Sequence, residues 1–289
     1  MEQDISKYTA KDTVFRDLFS DKEYVAQLYA ALHNGENVSV EDIKIITLEE
    51  IVMASLYNDV GFMINDKIII LVECQSTWTE NIIIRLLMYL AETYYRYYRQ
   101  TEQSLYSTKK VDFPKPELYV IYVGKEKINK EYISLSDSFL NGEECDLNIK
   151  VKVITDGKKG DIISQYVRFT QIFNEQVQKH DRTRKAVSET IRICTDENVL
   201  KNYMKDRESE VASIMLNMFD VERELEIFIK TENREAEKKG EARGEHTKAI
   251  AVAKKMLKKN MKIDIIAECS GLSIDEVVAL ANGKTLQLV

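Results

Sequence analysis

The residues most able to do chemistry are three polar side chains at the ends of two neighbouring predicted strands. Residues 68–72, Ile-Ile-Ile-Leu-Val, predict a buried central strand, and Glu73 and Gln75 follow it closely. Strand side chains alternate, so Glu73 and Gln75 lie on one face. A charge at such a place is costly unless it is paired, hydrogen-bonded or bound to a metal. Asp59, on the preceding predicted strand, can supply a second carboxylate.

Whether Asp59 meets Glu73 depends on the register of the hairpin that these two strands form. A two-residue loop would turn Asp59 to the opposite face of the sheet from Glu73. A three-residue loop pairs Ile64 with Ile68 and places Asp59 opposite Glu73. Such loops are common and need a left-handed residue, which the Asn and Asp of this turn tolerate. We therefore predict a loop over residues 65–67.

Two carboxylates without a cluster of His or Cys suggest a hard cation. Mg²⁺ prefers oxygen ligands and keeps several waters, so Asp59 and Glu73 would suffice to hold it. A bound Mg²⁺ can polarise a phosphodiester and lower the pKa of an attacking water. Gln75 does not titrate, but it can orient the water through its carbonyl or donate to a phosphate oxygen through its NH₂ group. The alternative is that all three are solvated polar residues at the rim of the sheet.

The pattern Asp-x₁₃-Glu-x-Gln-Ser that begins at Asp59 resembles the active-site core of the PD-(D/E)xK nuclease superfamily. It is more closely similar to the Rpn family of recombination-promoting nucleases and putative transposases. The resemblance covers most of the chain, including the helical C-terminal half. Its supporting segments are residues 12–19, the run Glu73-Cys74-Gln75-Ser76 and the helix Arg85-Leu86-Leu87-Met88-Tyr89.

The resemblance implies an α/β fold with a mixed sheet of αβββαβ order flanked by helices, followed by an all-helical C-terminal region. It implies a DNA endonuclease that depends on Mg²⁺ or Mn²⁺ and acts in recombination, mobile-element or phage-defence biology. Asp59 and Glu73 match the metal ligands. Gln75 occupies the position where the superfamily usually has Lys, a departure that removes a cation from the site.

Three other residues could support this site. Arg85, on the helix after the strand, could replace the missing cation. In the superfamily an acidic residue of the first helix sometimes assists the metal, and Asp12 or Asp17 could do so here. Asp12 is equally well placed to cap a helix that begins at Thr13.

A DNA enzyme needs a local positive surface because phosphate contacts dominate affinity, whereas the whole chain carries a net charge of -7. The candidate DNA contacts are Arg96 and Arg99, near the end of a predicted helix rich in tyrosine, and Lys109 and Lys110 in the loop that follows. Arginine beside aromatic rings can contact the backbone and stack on bases. We favour the alternative for this helix, in which the tyrosines pack on the sheet.

The patterns predict helices over residues 14–33 and 80–103 and strands over 43–48, 117–123 and 149–154. We expect a nuclease domain at 1–157, a helical region at 158–234 that packs on it, and a last segment at 235–289. That segment combines a charged linker or solvated helix with a hairpin like a helix-turn-helix, whose second helix Ser273 would cap. Two acids near the start of this helix would face phosphate, so we favour packing or homo-oligomerisation over sequence-specific DNA readout.

The amino-acid composition indicates the general class of protein and its cellular compartment. Apolar residues make up 44% of the chain and charged residues 31%, which is typical of a soluble globular protein. The four cysteines and three histidines are scattered, which argues against a zinc site and a disulfide framework. No apolar run reaches the length of a membrane span and the N-terminus lacks signal-peptide character, so we expect a cytoplasmic protein that does not engage membranes.

The leading hypothesis is therefore a Mg²⁺-dependent DNA endonuclease. A catalytically weak or inactive DNA-binding or assembly protein that keeps the nuclease fold is the first alternative. A structural interaction module without metal or DNA affinity is the second. Metal binding at Asp59 and Glu73 would separate the first hypothesis from the others.

Overall fold

A computed structural model of the chain describes residues 10–46, 60–66, 68–101 and 103–282. The strands are β1 (Ile43–Ile45), β2 (Val60–Ile64), β3 (Ile68–Gln75), β4 (Lys115–Tyr122), β5 (Tyr132–Ser134) and β6 (Lys150–Ile154). The helices are α1 (Ala10–Leu18), α2 (Lys22–Leu32), α3 (Ile82–Gln100), α4 (Leu135–Phe139), α5 (Ile162–His180), α6 (Arg184–Asp196), α7 (Lys201–Asp206), α8 (Glu208–Leu257), α9 (Ile263–Ser270) and α10 (Ile274–Ala281).

Within the described residues, six strands form one mixed sheet in the order β1-β2-β3-β4-β6-β5. The pairs β1–β2 and β2–β3 are antiparallel, and β3, β4 and β6 run parallel to one another. The last strand, β5, returns antiparallel to β6. The parallel pair β3–β4 is joined by α3, which is the helical crossover that parallel neighbours require. The prediction of a mixed α/β fold is confirmed.

The β2–β3 hairpin has the predicted register. Ile64 pairs with Ile68 and Val60 with Val72, so the loop has three residues. Asn65 and Asp66 have φ angles of +49° and +53°, the left-handed conformation that this turn needs and that Asn and Asp tolerate.

The sheet buries both of its faces. On one face, α3 presents residues spaced at helical intervals, including Ile82, Leu86 and Tyr89, which pack with Leu71 of β3. On the other face, Val72 of β3 belongs to a larger core formed with α1, α2 and α5 to α8, whose members include Phe15, Leu28, Tyr166, Phe169 and Met215. Because β3 lies between β2 and β4, its alternate side chains enter these two cores.

Several predicted elements differ from those in the structure. The helical segments expected over 14–33 are present as α1 and α2, with a break after Leu18, and Asp21 caps α2 by accepting a hydrogen bond from the Glu23 backbone N–H. The described part of α1 begins at Ala10, so Asp12 lies inside the helix and is not the cap of a helix starting at Thr13. The strand expected over 43–48 is described only as Ile43–Ile45.

Other predicted elements are confirmed with shifted ends. The helix expected over 80–103 is α3, and the strands expected over 117–123 and 149–154 are β4 and β6. The charged run near residue 240, for which a linker and a solvated helix were both considered, is helical and belongs to α8. None of the described helices combines the length and apolar character needed to cross a bilayer.

The chain divides into two compact units, Met1–Glu222 (the first unit) and Arg223–Val289 (the second unit). The boundaries expected from sequence at 157 and 234 fall within the first unit and within α8. In the second unit, Ala253 of α8 packs with residues of α9 and α10. Gly271 takes a φ of +75° between these two helices, and Ser273 forms a capping box with Glu276, as predicted for the cap.

Candidate functional site

Glu73 and Gln75 are brought to one place by the C-terminal end of β3. Both side chains are on the face that carries Leu71, the face covered by α3. Only 3% of Glu73 and 6% of Gln75 is exposed, because β2 and β4 flank β3 and α3 covers it. A buried carboxylate at a strand end needs compensation, so the partners of Glu73 decide what this place can do.

One partner of Glu73 is Arg85, in the first turns of α3. Its Nη2 donates to Oε2 of Glu73 over 3.1 Å, and the two side chains are 23% and 4% exposed respectively. The cation proposed from sequence to replace the missing lysine therefore contacts the predicted metal ligand directly. This ion pair supplies a charge-assisted hydrogen bond to a carboxylate that is almost fully removed from water.

Two polar atoms of the site are buried without a hydrogen-bond partner among the described residues. They are Oε1 of Gln75, an acceptor, and Nε of Arg85, a donor. Orphaned buried polar atoms are rare in folded proteins and commonly mark a missing water, ion or ligand. An unsatisfied amide oxygen suits a cation or a water proton, and an unsatisfied guanidinium N–H suits an anionic oxygen. The site thus presents both kinds of binding group.

Asp59 lies outside the described residues, as does the side chain of Asp12. The observed pairing of Val60 with Val72 is the register on which the predicted approach of Asp59 to Glu73 depends. Among the described residues, no three side chains of the types His, Cys, Asp or Glu come together in a way that could hold a metal ion. Within that part of the chain, the donors that suit a hard cation here are the Glu73 carboxylate and the Gln75 amide oxygen.

The predicted DNA contacts lie away from this site. Arg96 and Arg99 follow Arg85 by 11 and 14 residues along α3, about 16–21 Å further along the helix axis. Arg96 pairs with Glu92 at 2.9 Å. Lys109 and Lys110 precede β4, whose first residue pairs with Ile68, at the opposite end of β3 from Gln75.

The packing of the tyrosines near the end of α3 favours the interpretation in which they contact the sheet and not DNA. Tyr94 and Tyr97 pack against the core between α3 and the sheet, and the hydroxyl of Tyr94 donates to the Pro114 carbonyl over 2.6 Å. Tyr95 is 57% exposed. The helix is therefore held mainly by packing.

A loop that sequence reasoning missed borders the site. The Val123 backbone N–H donates to the Gln75 carbonyl over 2.8 Å, and Gly124 lies so close to Ser76 that an added Cβ would stand 2.3 Å from its carbonyl oxygen. Lys125 and Lys127, in the same loop, are exposed. The signal was available in principle, since a helical crossover between β3 and β4 brings the C-terminal ends of these parallel strands side by side.

The acidic residue Asp17 has a structural partner instead of a place at this site. Arg207 donates to both of its oxygens, over 2.8 and 3.1 Å, and the Tyr203 hydroxyl donates to Oδ2 over 2.7 Å. Burial and the hydrogen bond to Asp17 raise the pKa of Tyr203 far above its usual value. This cluster ties α1 to α7 and to Arg207, the residue that joins α7 to α8.

A second, partly buried glutamate lies in β4, at the other end of the sheet. Glu117 accepts hydrogen bonds from Lys115 over 2.8 Å and from Tyr119 over 3.0 Å, and its Oε2 lies 2.7 Å from Nε2 of His33. Burial alone would raise the pKa of Glu117, but the hydrogen bonds from Lys115, His33 and Tyr119 outweigh it and lower the pKa below its usual value. All three partners of this carboxylate are supplied by the chain.

Comparison of the chain with protein-family models, with curated proteins and with solved structures found no match.

Proposed function

We propose that this protein is a metal-dependent DNA endonuclease with a PD-(D/E)xK-like core. The observation that supports this proposal most strongly is the group of polar side chains at the end of β3. A carboxylate, Glu73, is 3% exposed, and beside it Gln75 holds a buried amide oxygen without a hydrogen-bond partner among the described residues. Arg85 faces the same carboxylate across 3.1 Å. A carboxylate that can bind a metal ion, an amide oxygen and a guanidinium group lie at one place. Together they suit a substrate that carries phosphate.

The fold gives this proposal further support. The element order α2–β1–β2–β3–α3–β4 follows the αβββαβ order that the resemblance implies. The three-residue hairpin loop and the pairing of Val60 with Val72 agree with the register on which the proposed approach of Asp59 to Glu73 depends. The site also lies at the C-terminal end of β3, where that strand runs beside parallel β4, the usual place for ligand sites in open α/β sheets.

Each residue of the site has a proposed role in the hydrolysis of a phosphodiester. Asp59 and Glu73 would hold Mg²⁺ or Mn²⁺, and Gln75 would complete the oxygen-rich surroundings. When bound, such an ion polarises the phosphodiester and lowers the pKa of an attacking water. The Gln75 carbonyl would orient that water by accepting its proton in a hydrogen bond. Arg85 would contact a non-bridging phosphate oxygen, which is the task left open by the absence of the superfamily's lysine.

Phosphate contacts outside the site would come from the loop after β4. Lys125 and Lys127 are exposed there, close in sequence to Gly124, which is fixed against Ser76. We propose these two lysines in preference to Arg96, Arg99, Lys109 and Lys110, which belong to the opposite end of α3 and of the sheet.

The test is nicking of a supercoiled plasmid by the purified full-length protein. Wild type should nick in Mg²⁺ and lose this activity in EDTA, and Asp59→Ala and Glu73→Gln should each be inactive at matched concentration. Glu117→Gln is the matched control, because it removes the charge of a partly buried glutamate in β4 at the other end of the sheet. Activity that survives in Glu73→Gln would refute the assignment of Glu73.

The alternative is a catalytically weak or inactive DNA-binding or assembly protein with the same fold. One observation favours it, since the ion pair with Arg85 already neutralises Glu73 without a metal. This alternative predicts DNA binding that EDTA does not change, and no nicking with Mg²⁺ or Mn²⁺ by a folded wild-type protein. Self-association would use the second unit, where Ile265, Ile274 and Val278 are 37–54% exposed.

A further inference from the structure

The second unit carries a concentrated positive surface in a chain whose net charge is -7. Five lysines fall within nine residues at the end of α8 and in the turn after it, and all five are exposed. None of them has an ion pair or a side-chain hydrogen bond to a described residue. We call this surface the lysine patch; it consists of Lys254, Lys255, Lys258, Lys259 and Lys262.

The packing of α8 explains why these lysines point outward. Ala253 is fully buried, and Ile250, Met256 and Leu257 pack against the hairpin of α9 and α10. Lys254 and Lys255 lie in the last turn of α8, and Lys258 and Lys259 follow in the turn after it. The Lys258 backbone N–H donates to the Lys254 carbonyl over 3.2 Å, so these two like charges stay one helical turn apart. Like charges held side by side repel one another, so the patch is electrostatically costly unless an anion approaches it.

Capping the helix does not require these lysines. The end of α8 closes with backbone hydrogen bonds from Asn260 N–H to the Leu257 carbonyl over 3.0 Å and from Met261 N–H to the Met256 carbonyl over 3.3 Å. Asn260 takes the left-handed conformation, with a φ of +54°, so this is a Schellman closure. The helix macrodipole also favours cations here, but its effect falls off within the last turn and does not reach Lys262.

The second unit also carries acids: Asp264 of α9 follows the lysine patch by two residues, others lie along α8, and two begin α10. Glu276 is held by the Ser273 backbone N–H and hydroxyl, over 2.8 and 2.7 Å, and its other oxygen lies 3.0 Å from Nε2 of His246. Asp275 is exposed beside it. The start of α10, which a helix-turn-helix protein would insert into the major groove, is therefore negative and unsuited to DNA.

We infer that the lysine patch is a sequence-independent docking surface for the phosphate backbone of duplex DNA, and that α10 does not read bases. The choice of DNA as the polyanion rests on the proposed function. The patch offers up to five ammonium groups for phosphate contacts, and DNA carries one charge per about 1.7 Å of its axis. Contacts of this kind position a protein on DNA without carrying sequence information.

The experiment measures binding of the full chain to a fluorescent duplex in EDTA, by anisotropy, at several salt concentrations. The variant Lys255→Gln/Lys258→Gln/Lys259→Gln removes three charges from the patch. Its matched control is Lys230→Gln/Lys238→Gln/Lys239→Gln, which removes three exposed lysines of α8 that lie outside the patch. Each phosphate contact contributes about 0.9 to the slope of log K against log[salt]. The patch variant should therefore lose about 2–3 from that slope and bind about 10- to 100-fold more weakly at 100 mM salt.

The control variant should bind as wild type does, and two unrelated duplex sequences should bind wild type with similar affinity. Equal effects of the two variants would overturn the inference, as would a wild type that does not bind DNA. Vesicles of anionic phosphatidylserine test whether the patch binds a membrane surface. The inference would also be overturned if the patch variant lost binding to the vesicles but bound DNA as wild type does. Plasmid nicking separates the two proposals, since the patch variant should still nick at saturating protein whereas Glu73→Gln should not.

Discussion

Replacing Arg85 with alanine would leave the Glu73 carboxylate buried without the guanidinium that faces it. Removing one partner of a buried ion pair costs about 3–5 kcal/mol. The Arg85 side chain is 23% exposed and that of Glu73 only 4%, so water can enter the vacated space from the arginine side and offset part of the loss. We expect Arg85→Ala to lower the free energy of unfolding by about 2–3 kcal/mol, below the fully buried range because of this access to water.

Thermal and urea unfolding at pH 7 measure this loss. For a unit of this size, about 1 kcal/mol corresponds to about 2–4 °C, so the midpoint should fall by about 4–12 °C. A double-mutant cycle with Glu73→Gln isolates the pair. Because the buried charge and its partner disappear together, the double variant should be about 1–2 kcal/mol less destabilised than the sum of the single variants.

Two results would contradict the roles given to Arg85 and Glu73. Additivity of Arg85→Ala and Glu73→Gln within about 0.5 kcal/mol would refute the coupling between the two side chains. If the site also holds a cation, Mg²⁺ should raise the unfolding midpoint of Arg85→Ala more than that of wild type, because the ion can take the place of the guanidinium beside Glu73. Equal shifts in both proteins would contradict that role for Glu73.

Three further predictions concern other parts of the chain. Because its hydrogen bonds lower the pKa of Glu117, this group stabilises the fold above its unfolded pKa of about 4.3 and loses that effect as the pH falls through the folded pKa. The difference in free energy of unfolding between wild type and Glu117→Gln should therefore shrink between pH 6 and pH 3 in urea titrations; a constant difference would contradict it. Gly124→Ala should lower the free energy of unfolding by about 1–3 kcal/mol in thermal melts, since its methyl group would meet the Ser76 carbonyl oxygen at 2.3 Å. Its control is Gly240→Ala, in open space within α8. That variant should raise the free energy of unfolding by about 0.5–1 kcal/mol. Ser273→Ala removes the cap of α10 and should cost the second unit about 1 kcal/mol; hydrogen exchange in α10 that stays as slow as in wild type would refute this.

The sequence predicted local features well where a single physical rule dominated. The hairpin register followed from turn chemistry at Asn65 and Asp66 together with the period-two alternation of β3. The cap at Ser273 followed from its position before an apolar helical pattern. Each of these features depends on residues close together in the chain, so a single sequence contains the information that specifies them.

Features set by contacts between distant residues were not predictable in the same way. Arg207 and Asp17 are 190 residues apart in the chain, and no pattern in either segment announces their pairing. The strand β5 has only three residues and is held by pairing with β6, so it carries no alternation of its own. The loop containing Gly124 lies beside Gln75 because β3 and β4 are parallel neighbours. The helix between the two strands permits this pairing, but no residue pattern in either strand specifies it.

The outer strands of the sheet bear on how copies of this protein can meet. In the part of the sheet that the structure describes, β1 and β5 are the outermost strands and each has three residues. Short edges offer few unpaired backbone groups, and an exposed Lys44 on β1 adds a charge. At these described edges, extension of the sheet from one molecule into the next, the route to strand-mediated aggregation, is therefore disfavoured, which favours association between copies through the surfaces of the helices.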